Sequence, residues 1–287
     1  MRRHVLASLL VWLICAGTSA AQDAVQRGEY LVHVGGCISC HTVPGGTPFA
    51  GGRALATPFG TFYSPNITPD ADTGIGRWTD TQFLRALREG KRPDGAYYFP
   101  VFPYTSFTNI TDADALAIKA YLFSLKPVHQ VDRAHDVAFP FSWRFLQFGW
   151  RKLFFHEGPF RPDPAHDVAY NRGAYLMTAL AHCGECHTPR NSLGGLRSSL
   201  ALSGTRDGPD GQAVPNITPD RATGIGDWET DDIVTLLQTG RTPEESSVTG
   251  AMREAVRDGL HFLTDQDAHA IAAYLQGQKP IAHKVGG

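Results

Sequence analysis

The sequence has 287 residues, enough for two domains of ordinary size, and a hydrophobic content of 42% that suits packed cores. Its 26 Lys and Arg stand against 28 Asp and Glu, for a net charge of -2. The basic residues are scattered and form no stripe, which excludes nucleic acid as a partner.

At the N-terminus Arg2 and Arg3 precede an apolar run from Val5 to Ile14, followed by small residues through Ala20 and Ala21. This order predicts a cleaved secretory signal over residues 1–21 and a mature protein outside the cytoplasm. The run is shorter than the roughly 18 apolar residues of a spanning helix. Cys15 lies inside it, and Trp12-Leu13-Ile14 before it lack the small residues that precede a lipidated cysteine.

Beyond the signal the chain holds two copies of one unit. Asn66-Ile67-Thr68-Pro69-Asp70 recurs as Asn216-Ile217-Thr218-Pro219-Asp220, and Thr73-Gly74-Ile75-Gly76 as Thr223-Gly224-Ile225-Gly226. Of the 28 positions from 66 to 93, 13 are identical at an offset of 150. Two copies are too few for a solenoid, so a duplicated domain is expected.

Each copy reads as three helices. The first is predicted over 24–34, with its counterpart at 168–180, and each runs up to a cysteine motif. The second starts at Thr79-Asp80 and ends near Gly90; its counterpart starts at Thr230-Asp231 and ends near Gly240. The third starts at Thr111-Asp112 or Thr264-Asp265, with Ala115, Ile118, Leu122 and Leu125 at helical spacing. No alternating strand pattern is visible, so the expected fold class is all-α. The expected domains cover residues 22–128 and 166–287, joined by a Pro- and aromatic-rich linker over 129–165. In that linker the segment from Phe139 to Phe155 is crowded with Phe and Trp beside Arg144, Arg151 and Lys152. An interfacial membrane helix is one reading of it; packing between the domains is the preferred one.

The four mature cysteines form Cys37-Ile38-Ser39-Cys40-His41 and Cys183-Gly184-Glu185-Cys186-His187. Two thiols one helical turn apart can each add to a haem vinyl group, and the adjoining histidine then lies under the iron. Cys37, Cys40, Cys183 and Cys186 are therefore expected to hold two covalently bound haem c groups, with His41 and His187 as proximal ligands. A carbonyl in the loops after His41 or His187 is expected to fix the imidazole tautomer. A thioredoxin-like pair would need a preceding strand, and a structural zinc site would gather four ligands in one place.

For the distal side, Met252 follows Pro243 by nine residues, in the expected loop before the last helix, and is assigned to the second iron. Met177, on the first helix of the second copy, is expected in the core. Nine residues after Pro93 stands Phe102, which cannot bind iron. The first haem is then open, or takes a ligand from elsewhere. His135 is the first choice; His33, His129, His156, His166, Tyr98 and Tyr104 are weaker candidates. Trp78 and Trp228, in the repeated loops, are expected either to donate indole N–H groups on the haem-propionate side or simply to pack.

Gly60-Thr61-Phe62-Tyr63, Ser64-Pro65-Asn66-Ile67-Thr68-Pro69-Asp70, Thr73-Gly74-Ile75-Gly76-x-Trp78 and Pro103-Tyr104-Thr105-Ser106-Phe107 resemble the cytochrome c subunit of bacterial membrane-bound alcohol, gluconate and sorbitol dehydrogenases. The resemblance covers nearly the whole mature chain. It implies two tandem class I cytochrome c-like domains in a periplasmic carrier, with a dehydrogenase subunit as electron donor and quinone or a terminal oxidase as acceptor. That subunit typically has three haem domains and a membrane-associating C-terminal tail, and usually Met where Phe102 stands; shorter diheme cytochromes of the same superfamily match better. Peripheral membrane association is a further expectation. The rival reading is a haem enzyme, a peroxidase or small-molecule oxidase or dehydrogenase, using an open first haem.

Overall fold

The computed structural model describes residues 21–285. The signal expected over residues 1–21 lies, apart from Ala21, outside the described residues. The first half contains α1 (21–34), α2 (Cys37–Cys40), β1 (Ala54–Thr57), β2 (Gly60–Tyr63), α3 (Asp80–Glu89), α4 (Tyr104–Phe107) and α5 (Asp112–Ser124). Then come β3 (Asp136–Val137) and α6 (Leu146–Phe154). The second half contains α7 (Val168–Tyr175), which continues as a π-helical turn over Leu176–Leu180, then α8 (Gly184–His187), α9 (Thr230–Thr239), α10 (Gly250–Asp258) and α11 (Asp265–Gln276).

The long helices start and stop where local chemistry dictates. Thr79 caps α3 by accepting from the Gln82 amide, and the Gln82 side chain accepts from the Thr79 amide in return. Thr111 and Thr264 cap α5 and α11 in the same way, each accepting from an amide three residues on. The same crossing is built twice. A Cβ on Gly28 would sit 1.9 Å from the Ala117 carbonyl oxygen, and one on Gly173 1.9 Å from that of Ala270. Helices α1 and α5, and α7 and α11, therefore touch backbone to backbone, which only glycine permits. Around these crossings Leu31, Val32, Ile118, Leu122, Leu176, Leu180, Ile271 and Leu275 are buried in one continuous core.

The all-α expectation needs correction. Strands β1 and β2 form an antiparallel hairpin, and β3 adds to β2 with Gly60 opposite Val137 and Thr61 opposite Asp136. The fold is mainly helical with this small sheet. Two strands of four residues and one of two are too short to show a period of two in sequence.

The aromatic segment has two faces. Inward, the Trp150 indole donates to the Leu193 carbonyl at 2.9 Å, while Trp150 and Phe155 pack against Tyr104 at 6.5 and 5.2 Å between ring centroids. Helix α6 thus touches both halves. Outward, Phe139, Phe145, Phe148 and Leu153 are 57–69% exposed, more than packing between the halves alone would leave.

Candidate haem-attachment sites

Helix α1 ends at two glycines, and Gly36 takes a left-handed conformation that turns the chain into α2. The turn is closed by the His41 amide, which donates to the Cys37 carbonyl at 2.9 Å. In the second half the His187 amide donates to the Cys183 carbonyl at 3.0 Å. Both cysteine pairs are therefore presented one helical turn apart. Burial pushes the Cys37 and Cys183 thiols up to about 12, and raises Cys40 and Cys186 as well. Such groups rest as neutral thiols, unlike the activated thiolate of a redox pair.

The two histidines are held alike. The His41 Nδ1 lies 2.8 Å from the Pro65 carbonyl oxygen, and the His187 Nδ1 2.9 Å from that of Pro215. A carbonyl only accepts, so each ring carries its hydrogen on Nδ1 and keeps a lone pair on Nε2. Burial lowers both pKa values against the opposing pull of the carbonyl, so both rings are neutral. This is the donor set that haem c requires: two thiols on one turn and an oriented neutral imidazole.

The orienting carbonyl is not in the loop after the histidine, where it was expected, but 24 and 28 residues further on. It directly precedes the repeated Asn-Ile-Thr-Pro-Asp segment, which explains that repeat. Asn66 Nδ2 donates to Thr73 Oγ1 and the Val128 carbonyl; Asn216 Nδ2 donates to Thr223 Oγ1 and the Ile281 carbonyl. The segment ties the loop to the chain leaving the last helix of each half. Gly51 and Gly204 complete the arrangement at φ 76 and 81, their amides donating to the His41 and His187 carbonyls at 2.8 and 2.7 Å. A Cβ there would lie 2.4 and 2.6 Å from the backbone of Pro65 and Pro215. Trp78 and Trp228 are partly buried and pack against the core.

The loops after α3 and α9 also match between the halves. The Tyr98 amide donates to the Gly90 carbonyl and the Val248 amide to the Gly240 carbonyl, at 2.8 and 2.9 Å. Phe102 and Met252 each follow that anchor by four residues, and both pack half-buried against the core. Met252 lies on α10 rather than in a loop. Phe102 is surrounded by aromatic rings, Tyr98 at 5.2 Å and Phe107 at 5.6 Å. Met177 is buried, as expected.

His135 packs edge-on against Phe62 and Phe99, and its Nδ1 accepts from the Tyr63 amide at 3.2 Å. Its ring hydrogen is thus on Nε2, and iron binding through that atom requires the Tyr63 bond to be given up. Burial first, then Arg144 and Arg92, lower its pKa and keep it neutral. The other candidates are placed elsewhere: His33 stacks on Phe262 at 3.7 Å, His166 on Tyr170 at 3.8 Å, and His129 faces Asp70 at 3.6 Å. His156 is exposed, and Tyr104 is fully buried with its hydroxyl unpartnered.

The chain is 42% identical over 262 residues to a diheme cytochrome c-type protein of Cereibacter sphaeroides, an alignment covering 88% of this chain and 84% of that one. The chain belongs to the diheme cytochrome c family. The cytochrome is also 39% identical to the cytochrome c subunit of alcohol dehydrogenase (quinone) from Gluconacetobacter polyoxogenes, over 99% of its own length and 64% of that subunit. To a nicotinate dehydrogenase component of Pseudomonas putida it is 44% identical over 88% of its length, but it spans 21% of that protein. No protein-family model matches the chain.

Proposed function

We propose that this cytochrome is an exported electron carrier with two haem c groups, taking electrons from a dehydrogenase subunit and passing them to quinone or a terminal oxidase. Two tandem cytochrome c-like domains, residues 22–128 and 166–287, each hold one group. Cys37 and Cys40 attach the first and Cys183 and Cys186 the second, with His41 and His187 as proximal ligands. Bound there, the iron supplies reversible one-electron chemistry between its ferric and ferrous states.

The single observation that carries this reading is the repeated imidazole geometry, Nδ1 donating to Pro65 or Pro215 with Nε2 free. Met252 is the distal ligand of the second iron. For the first, the reading keeps His135, whose ring must turn away from the Tyr63 amide to bind. The dehydrogenase as donor is supported by the alcohol and nicotinate dehydrogenase relatives. An enzyme would need acid–base groups above the first iron; around Phe102 the neighbours are aromatic.

Peripheral attachment to the membrane is part of the proposal. From Val137 to His156 the sequence has Arg144, Arg151 and Lys152 and no acidic residue, and its outward face is aromatic. The exposed aromatic face suits the interfacial zone of a lipid surface, while Arg144 and Arg151 turn inward, onto the Tyr97 carbonyl and the Tyr104 ring. Among the described residues no helix is long and apolar enough to cross a membrane.

The test is low-temperature EPR with magnetic circular dichroism on the oxidised holoprotein. A His/Met low-spin haem beside a bis-His one supports the carrier; a high-spin first haem removes His135 from it.

A further inference from the structure

Each cysteine motif is held by the opposite half. Ser39 and Glu185 occupy the same place in their motifs, directly before the second cysteine. Ser39 Oγ donates to Asp258 Oδ2 of α10 at 3.2 Å, and Glu185 Oε1 accepts from Thr105 and Ser106 of α4 at 2.9 and 3.0 Å. The grip on the first motif is the more elaborate. Arg53, just ahead of β1, donates through Nη1 to the Ser39 carbonyl at 2.5 Å and pairs with both carboxylate oxygens of Glu254 in α10. Both side chains of this pair are 25% exposed. A planar guanidinium that binds a carboxylate in bidentate fashion and a carbonyl together fixes position as well as charge. The end of α10 is seated too: a Cβ on Gly259 would lie 2.7 Å from the His33 carbonyl oxygen.

Glu254 stands two residues after Met252 on the same helix. We propose that Arg53 is a positioning residue for the second haem: through Glu254 it braces α10 against the first haem's cysteine motif and so holds Met252 over the second iron. The inference rests on Met252 being the distal ligand, as proposed above. One haem site then steadies the axial ligation of the other. Neither Arg53 nor Glu254 touches a proposed ligand atom, and both act through the placement of a helix.

The experiment titrates oxidised holoprotein with imidazole, which must displace Met252 from the second iron, and follows the methionine–iron charge-transfer band. Apparent affinity for the competitor scales with the fraction of protein whose methionine is off the iron. Arg53→Gln and Glu254→Gln should each tighten imidazole binding at the second haem by about tenfold. The double variant should match either single one within about twofold, because both break the same link. Should Arg53→Gln fail to load haem, Glu254→Gln alone carries the test. Single variants indistinguishable from the parent, or effects that add in the double variant, would overturn the bracing role. Met252→Leu separates the two claims: loss of the band in that variant upholds the ligand assignment, and its persistence would overturn the assignment and the inference together.

Discussion

Tyr30 and Tyr175 hold equivalent places on α1 and α7, and each donates its hydroxyl hydrogen to the aspartate of the opposite half: Tyr30 to Asp267 at 2.5 Å, Tyr175 to Asp114 at 2.6 Å. The same aspartates take Arg27 and Arg172 from their own halves. Asp114 is 2% exposed at its side chain, so its charge must be satisfied within the protein. The reciprocity means that the two halves are related by an approximate two-fold relationship and share their polar contacts. Tyr175→Phe should therefore destabilise the protein by about 1.5–3 kcal/mol, the range for a hydrogen bond to a charged group. Chemical denaturation of the two holoproteins measures it; a difference under about 0.5 kcal/mol would contradict the account.

The same tyrosines predict an alkaline limit. Burial first, then the aspartate partner, pushes Tyr30 and Tyr175 up to about 12, while an unfolded tyrosine titrates near 10. The folded state thus keeps protons that the unfolded state loses. Their contribution is fully present below about pH 10 and falls away as pH rises toward 12. Denaturation midpoints should drop across that window in the parent and drop less in Tyr30→Phe/Tyr175→Phe. Equal slopes would count against it.

Much of this was legible in the sequence. The cysteine motifs, the duplication, the Thr caps and the helices over 80–89, 112–124 and 265–276 follow from spacing and local chemistry. What escaped depends on distance along the chain. Pro65 and Pro215 contribute backbone carbonyls, which no residue type advertises, and the glycines that admit them signal only a turn. Tyr30 and Asp267 are 237 residues apart. Helix α10 begins at Gly250 after a Thr/Ser-rich loop and read as part of that loop.

Gly204 offers a test of the histidine geometry. At φ 81, with the Pro215 backbone 2.6 Å from any added Cβ, Gly204→Ala should cost at least about 1–3 kcal/mol. By displacing the Pro215 carbonyl it should also shift the second haem's midpoint potential and leave the first within error. Potentiometric titration of both haems reads this directly, and an unchanged second potential would contradict it.

The outward face of the 139–155 segment should govern lipid binding. Replacing Phe145, Phe148 and Leu153 together by Ser should weaken co-sedimentation with anionic vesicles by more than about tenfold, since each exposed side chain can contribute up to about 1.5–3 kcal/mol on burial. Undiminished binding by the triple variant would assign the membrane contact elsewhere.

The most direct measurement is the intact mass of the matured protein under denaturing conditions, for the parent and for Cys37→Ser/Cys40→Ser and Cys183→Ser/Cys186→Ser. The parent should carry the mass of two covalent haems and each double variant the mass of one. A parent with fewer than two, or a double variant that keeps both, would contradict the account.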